Sequence, residues 1–192
     1  MKFGYLIFLC AIFQGCLYDS QPQDCYEDEI RKVCLMPHNE FFQLINIHAK
    51  DTTHWDLNYP VYKFLYEDIS NDGKKNILVG VIKPTRFDSV VRKRLFIFKF
   101  YEEEIRPLWL GSRLGMPLED FFVEEIDGEN YIQTIEREKD GSLAIALYKW
   151  ESFGFTFIEY RERNITNNKL NAKYETPAAT FARPDTGLQQ KQ

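Results

Sequence analysis

From Val61 onward the chain is written in short runs of branched and aromatic residues. VYKFLYEDI, NILVGVI, RLFIFKF and EIRPLWL are followed by EDFFVEEI, NYIQTIERE, SLAIALYKW and FGFTFIEY. Between the runs stand turn formers: Asn-Asp-Gly at 71–73, KPTRFD at 83–88, a Glu-rich turn at 102–104, Asp-Gly at 127–128, Lys-Asp-Gly at 139–141 and Glu-Ser at 151–152. Such runs are too short to stand as helices but match strands, and Gly, Asn and Asp supply the backbone conformations that reverse a chain. The spacing therefore predicts an all-β chain. Aligning Asp72-Gly73 with Asp127-Gly128, or Lys99-Phe100 with Lys149-Trp150, makes the second four runs a copy of the first at about 50 to 55 residues, the period of four-stranded propeller blades.

ILVGVI and LFIFKF are apolar on both faces, as strands between two layers must be, while YIQTIERE mixes polarity like a strand nearer an edge. Gly80 inside a strand run predicts the close approach of another backbone. Two blades cannot close a ring. They either form a small β-sandwich with the segment before them or pack their open faces on a partner. In that segment EFFQLINI (40–47) reads as a strand or a short helix, and KDTTHWDLNYP reads as a loop with Trp55 and Tyr59 closing one end of a core.

The ends have another character. Met1 to Cys16, MKFGYLIFLCAIFQGC, carries one Lys, an apolar run from Phe3 to Phe13, then Gly15 before Cys16. The run is too short to span a bilayer but has the length of a signal-peptide core. This segment resembles a bacterial lipoprotein signal, which implies removal of residues 1–15 and lipidation of Cys16, and hence an envelope location with the membrane as a partner. A plain secretory signal or a buried N-terminal helix is the alternative. Residues 16–34, polar and acidic, read as a tether before a domain at 35–161. Cys25 and Cys34 are then an even pair, either bridged, as an oxidising compartment favours, or two thiols in the tether. Residues 162–192, rich in Asn, Gln, Pro and Thr, read as a solvated tail.

In DISNDGKKNILVG, oxygen-bearing side chains recur at Asp68, Ser70, Asp72 and Asn76, with Gly73 after the third and an apolar strand at once. Here the chain resembles the FG-GAP or VCBS repeats of bacterial surface proteins and integrin-like propellers. That resemblance implies a calcium loop formed by these four residues. Two carboxylates beside Lys74 and Lys75 imply weak binding, and a turn in which Asp68 and Asp72 accept backbone hydrogen bonds explains the same residues without metal. An EF-hand is excluded, because its twelfth position falls on Val79.

Other chemistry is sparse. His38, His48 and His54 have no metal-ligand spacing, and Ser112 lacks the context of a nucleophile elbow. Glu124, Asp127 and Glu136 are the carboxylates to consider for a hydrolase of envelope polymers such as glycans. The net charge of −5 and the lack of a long basic block argue against nucleic acid as a partner. Within this acidic chain, KPTRFDSVVRKR gathers Arg86, Arg92, Lys93 and Arg94, and IRPLWLGSRLGMP adds Arg106, Trp109 and Arg113. Trp and Arg are frequent binding anchors, so loops 83–94 and 105–117 are the expected docking edges; a connector with Trp109 in the core is the other reading. The expected function is a non-catalytic binding or scaffold module on the bacterial envelope, with an envelope protein or glycan as partner.

Overall fold

The computed structural model describes residues 24–170 except 87, 113 and 168. The lipidation site Cys16, the signal before it, Arg113 and the tail beyond 170 lie outside the described residues. Among these, twelve strands follow one another: β1 (Asp24–Glu27), β2 (Arg31–His38), β3 (Phe41–His48), β4 (Asp51–Leu57), β5 (Val61–Glu67), β6 (Asn76–Thr85), β7 (Asp88–Tyr101), β8 (Glu104–Leu110), β9 (Leu118–Ile126), β10 (Glu129–Arg137), β11 (Leu143–Glu151) and β12 (Gly154–Ile165). All eight runs expected from Val61 onward are strands.

The strands make two antiparallel sheets. One has the order β1-β2-β3-β4; the other has eight strands in the order β12-β11-β10-β9-β7-β6-β5, with β8 on β7. The long β7 forks. Its end from Phe96 to Tyr101 pairs with β8, and its earlier part meets β9 only where Lys93 faces Leu118. At that single bridge the large sheet folds over. In a flat sheet β5 and β9 would lie roughly 14 Å apart, three strand spacings. Instead the Tyr62 and Phe121 rings are 6.3 Å apart, and Lys63 Nζ lies 2.9 Å from Asp120. The molecule is thus three four-stranded meanders packed face to face.

Strand alternation explains why the middle meander is apolar on both sides. Ile77, Val79 and Val81 of β6 face Val33, Leu35, Phe42 and Leu44 of the small sheet. Leu78 of β6, with Leu95 and Ile97 of β7, faces Phe121, Ile132 and Ala146 of the last meander. Fully burying side chains of this size stabilises by about 1.5–3 kcal/mol each, so these two interfaces are the main source of stability. The β7–β8 turn latches the small sheet: the Glu103 carbonyl accepts from buried Asn46 Nδ2 at 2.8 Å and Thr53 Oγ1 at 3.0 Å, and Arg31 pairs with the Glu103 carboxylate at 3.1 Å.

Of the two alternatives for the open sheet faces, the fold takes the sandwich with the preceding segment. Four expectations change. KDTTHWDLNYP is largely β4, not a loop; Trp55 does pack on Phe98 at 5.6 Å, and Tyr59 on Phe96 at 6.2 Å. The sheet also begins before Leu35. Residues 24–34 form β1 and the start of β2, where Val33 and Cys34 are buried, because the acidic stretch after Tyr26 is a hairpin turn and not a linker. Asp28 makes that turn by accepting from the backbone N–H of Ile30 at 2.8 Å and Arg31 at 2.9 Å. At the other end β12 continues to Ile165, which is buried, so the residues after 161 are sheet before they are tail. Gly80, finally, accommodates a ring and not a backbone: a Cβ there would stand 2.5 Å from Tyr62 Cζ.

Cys25 faces Cys34 across β1 and β2, and the two are bridged. Closing a loop of about ten residues is worth roughly 2.7 kcal/mol in the chain-entropy estimate. Because a hairpin retains local order when unfolded, Cys25→Ser/Cys34→Ser is expected to lose about 2 kcal/mol by urea denaturation. An unchanged midpoint would show that β1 is not part of the cooperative unit.

Candidate functional site

The fork in β7 leaves an opening in the fold. Where β7 leaves β8 and before it touches β9, residues 111–117 cross as a connector, and a cleft of about 720 Å³ lies between them and the β6–β7 hairpin. Lys83, Arg86, Arg92, Lys93 and Arg94 line it with a single described acid, Asp88. Arg94 donates to Asp88 at 2.7 Å and Arg92 lies 3.5 Å from the same oxygen, so two guanidinium groups share one carboxylate. The Arg94 hydrogen bond holds the Asp88 carboxyl below its ordinary 3.8. Lys93 donates to the Glu119 carbonyl at 2.8 Å. In an acidic protein this cleft is locally positive.

A second cavity of about 440 Å³ adjoins it, and Trp109, Ser112 and Leu114 line both. Its walls are aromatic: Phe155 meets Trp109 edge-on at 5.1 Å, and Phe157 packs on Tyr148 at 5.6 Å and Tyr160 at 4.8 Å. Phe157 and Tyr160 are exposed, because β12 is the open edge of its sheet.

Behind Tyr148 and the connector, and lining neither cavity, lies Glu136, fully buried. Its Oε1 accepts from Tyr148 OH at 2.8 Å and Thr134 Oγ1 at 3.0 Å, and its Oε2 accepts from the Met116 N–H at 2.8 Å. The Gly115 N–H donates to Tyr148 OH at 3.0 Å. These bonds tie the connector to the last meander. Burial pushes the Glu136 carboxyl above its ordinary 4.5 despite the three donors, and pushes the Tyr148 hydroxyl well up. Gly111 has a φ of 72°, and a Cβ there would stand 2.9 Å from the Phe96 ring, so the connector needs glycine at its start for two reasons.

The structure brings together Arg86, Arg94 and Trp109 of the expected docking loops. Trp109 also satisfies the connector reading, being largely buried in the core while it lines both cavities. Arg106 does not join them: it lies on the exposed face of β8 and pairs with Glu104. The aromatic wall from β11 and β12 went unforeseen, although Phe155, Phe157 and Tyr160 on a terminal strand are a visible excess of rings. The Lys63–Asp120 pair was also missed; charges inside otherwise apolar strand runs were its signal.

The three carboxylates considered for hydrolysis are dispersed. Glu124 sits opposite Tyr131 on β10 and pairs with Arg161 at 3.0 Å, and Asp127 lies in the β9–β10 turn. The stretch of β10 from Tyr131 to Glu136 spans roughly 17 Å, whereas paired glycosidase carboxylates lie about 5–9.5 Å apart.

In the 68–76 loop, Asp68 accepts from the Gly73 N–H at 2.8 Å, and Asp72 accepts from the Lys74 N–H at 3.0 Å. Asn71, at a φ of 57°, exchanges hydrogen bonds with Asn130, fastening the loop to the β9–β10 hairpin. Ser70 Oγ lies 3.4 Å from both Asp68 Oδ1 and Asn76 Oδ1, so three oxygens converge but only one belongs to a carboxylate. Among the described residues no group of three or more His, Cys, Asp or Glu side chains gathers to hold a metal. These residues fit a weak hard-cation loop at most, and the turn needs them in any case. Asp68→Ala is expected to cost about 1 kcal/mol in EDTA, more than Asp72→Ala, from lost hydrogen bonds. A melting temperature that rises with calcium up to about 10 mM in the wild type, and not in Asp72→Ala, would instead make the loop a metal site.

No protein-family model matches the chain, and no curated protein matches it. No described helix is long and apolar enough to cross a membrane.

Proposed function

We propose that the chain is a lipid-anchored protein of the bacterial envelope whose β-sandwich is a non-catalytic binding module, with the cleft beside the 111–117 connector as its site. The observation that carries the reading is the placement of five cations and one acid in a cleft of an acidic protein, continuous with a ring-lined cavity. Lys83, Arg92, Lys93 and Arg94 stand on β6 and β7, and Arg86 in the turn between them, so four of the five cations are held by strand backbone before a partner arrives, which lowers the entropy lost on binding. The anchor on Cys16 is the part read from sequence. It would hold the cleft at a membrane surface, since a lipidated cysteine carries more than one acyl chain.

Two measurements test the halves separately. Cys16→Ala is expected to move the protein from the membrane fraction to the soluble one; unchanged fractionation removes the anchor. A photo-crosslinker at the exposed lip residue Leu110, used in intact cells, is expected to give a discrete adduct that Arg92→Glu abolishes. Adducts indifferent to that change would remove the cleft as the site.

A further inference from the structure

We infer that the ligand of this cleft is an anionic saccharide: a sugar ring seated in the aromatic cavity, bearing a carboxylate or phosphate that reaches the arginines. This rests on the cleft being the binding site, and it names the chemistry.

Four observations carry it. The two cavities share Trp109, Ser112 and Leu114, so one ligand of modest length touches both. Their sizes, about 440 and 720 Å³, fall in the range of small-molecule sites, roughly 300–1,000 Å³. The smaller cavity presents apolar faces beside polar edges: the rings of Phe155 and Phe157 stand with the hydroxyls of Ser112 and Tyr160. A pyranose has that dual character, with C–H groups on its faces and hydroxyls at its rim.

The larger cavity supplies the counter-charge. Asp88 is divided between Arg92 and Arg94, and Nε of Arg94 is buried without a hydrogen-bond partner. A carboxylate or phosphate accepts from such guanidinium groups in charge-assisted bonds. A linear acidic peptide is the less suited occupant. Strand-like peptides gain affinity by adding to an open sheet edge; β12 is such an edge, but the cations lie on β6, β7 and their turn and not along that strand.

The experiment is calorimetric titration of the full chain with oligogalacturonate, a phosphorylated oligomannose, neutral oligomannose of equal length, and a glutamate-rich peptide containing one tyrosine. One or both charged saccharides are expected to bind at least tenfold more tightly than the neutral one, and which of them does so identifies the anion. That preference should shrink with added salt and vanish in Arg92→Glu. Phe157→Ala should weaken saccharide binding about tenfold and Phe157→Trp preserve it, while both variants keep the wild-type melting temperature. No saccharide binding, or equal binding of charged and neutral sugars, overturns the inference. If only the peptide binds and Arg92→Glu abolishes it, the saccharide is wrong and the cleft stands. If nothing binds and the Leu110 crosslink is also indifferent to Arg92→Glu, both readings fall.

Discussion

Replacing Gly80 with valine is expected to destabilise the protein by about 4 kcal/mol, a fall in melting temperature of roughly 10 °C for a chain of this size. Gly80 lies in the middle of β6, where glycine weakens a strand and a branched residue would ordinarily strengthen it. The sign reverses because the Tyr62 ring lies across the glycine, with three of its atoms within 2.8 Å of where a Cβ would stand. The ring has packed neighbours on its other sides. Phe121 meets it edge-on at 6.3 Å and the Lys93 ammonium sits 5.0 Å from its centre. Tyr62 is therefore a wedge between two meanders, and valine would force it out of both. In a Tyr62→Ala background the same Gly80→Val change is expected to cost about 2 kcal/mol less, which a double-mutant cycle by urea denaturation reads directly. Additive effects would show that the ring is not what the glycine accommodates.

Glu136→Ala is the second large effect, about 3 kcal/mol. The change leaves the Tyr148 hydroxyl and the Met116 N–H without their acceptor and turns the Thr134 hydroxyl to the Ala146 carbonyl at 3.4 Å, and buried polar groups stripped of partners cost about 1–3 kcal/mol each before relaxation. Since the connector hangs on this carboxylate, the cleft should lose its wall as well, and residues 114–117 should gain hydrogen-exchange rates ahead of the sheets. Glu136→Gln keeps one oxygen and is expected to be milder. It also isolates a pH dependence. The folded carboxyl titrates above its ordinary 4.5 because burial disfavours its charge, so it holds its proton over a range where the unfolded chain has released it. Its contribution to stability is thus full below about 4.5 and declines as pH rises through the folded value. Denaturation of wild type and Glu136→Gln from pH 4.5 to 8 should show the wild type losing stability relative to the variant. A constant difference would mean that Glu136 is ionised throughout.

The strands were legible because their signals are local. ILVGVI alternates two apolar faces with a period of two residues, and Asn-Asp-Gly or Lys-Asp-Gly reverses the chain wherever it occurs, so neither needs distant information. Where a local signal was ambiguous, the reading failed. KDTTHWDLNYP has the polar composition of a loop, yet β4 pairs with β3 from Asp51 to Leu57, because Trp55 and Leu57 reach inward while Thr52 and His54 face out. The acidic residues before Cys34 have the composition of a tether, yet they decorate a hairpin closed by a disulfide. The site was half legible. The basic loop and Trp109 were visible as clusters in the sequence, but the rings of β11 and β12 lie some forty residues further on and have no local link to Trp109.

By itself, then, the sequence determined an all-β chain, the places of eight strands and the turns between them. Tertiary structure alone decided that the eighth and ninth strands part at the fork of β7, that the large sheet folds over at the Lys93–Leu118 bridge, and that a third meander comes from the segment before Val61. It also turned Glu136 from a candidate acid into the post of a connector. The reason is that period and turn chemistry are read within a few residues, whereas a cleft is defined by which distant faces bury one another, and that follows from apolar area and close packing across the whole fold.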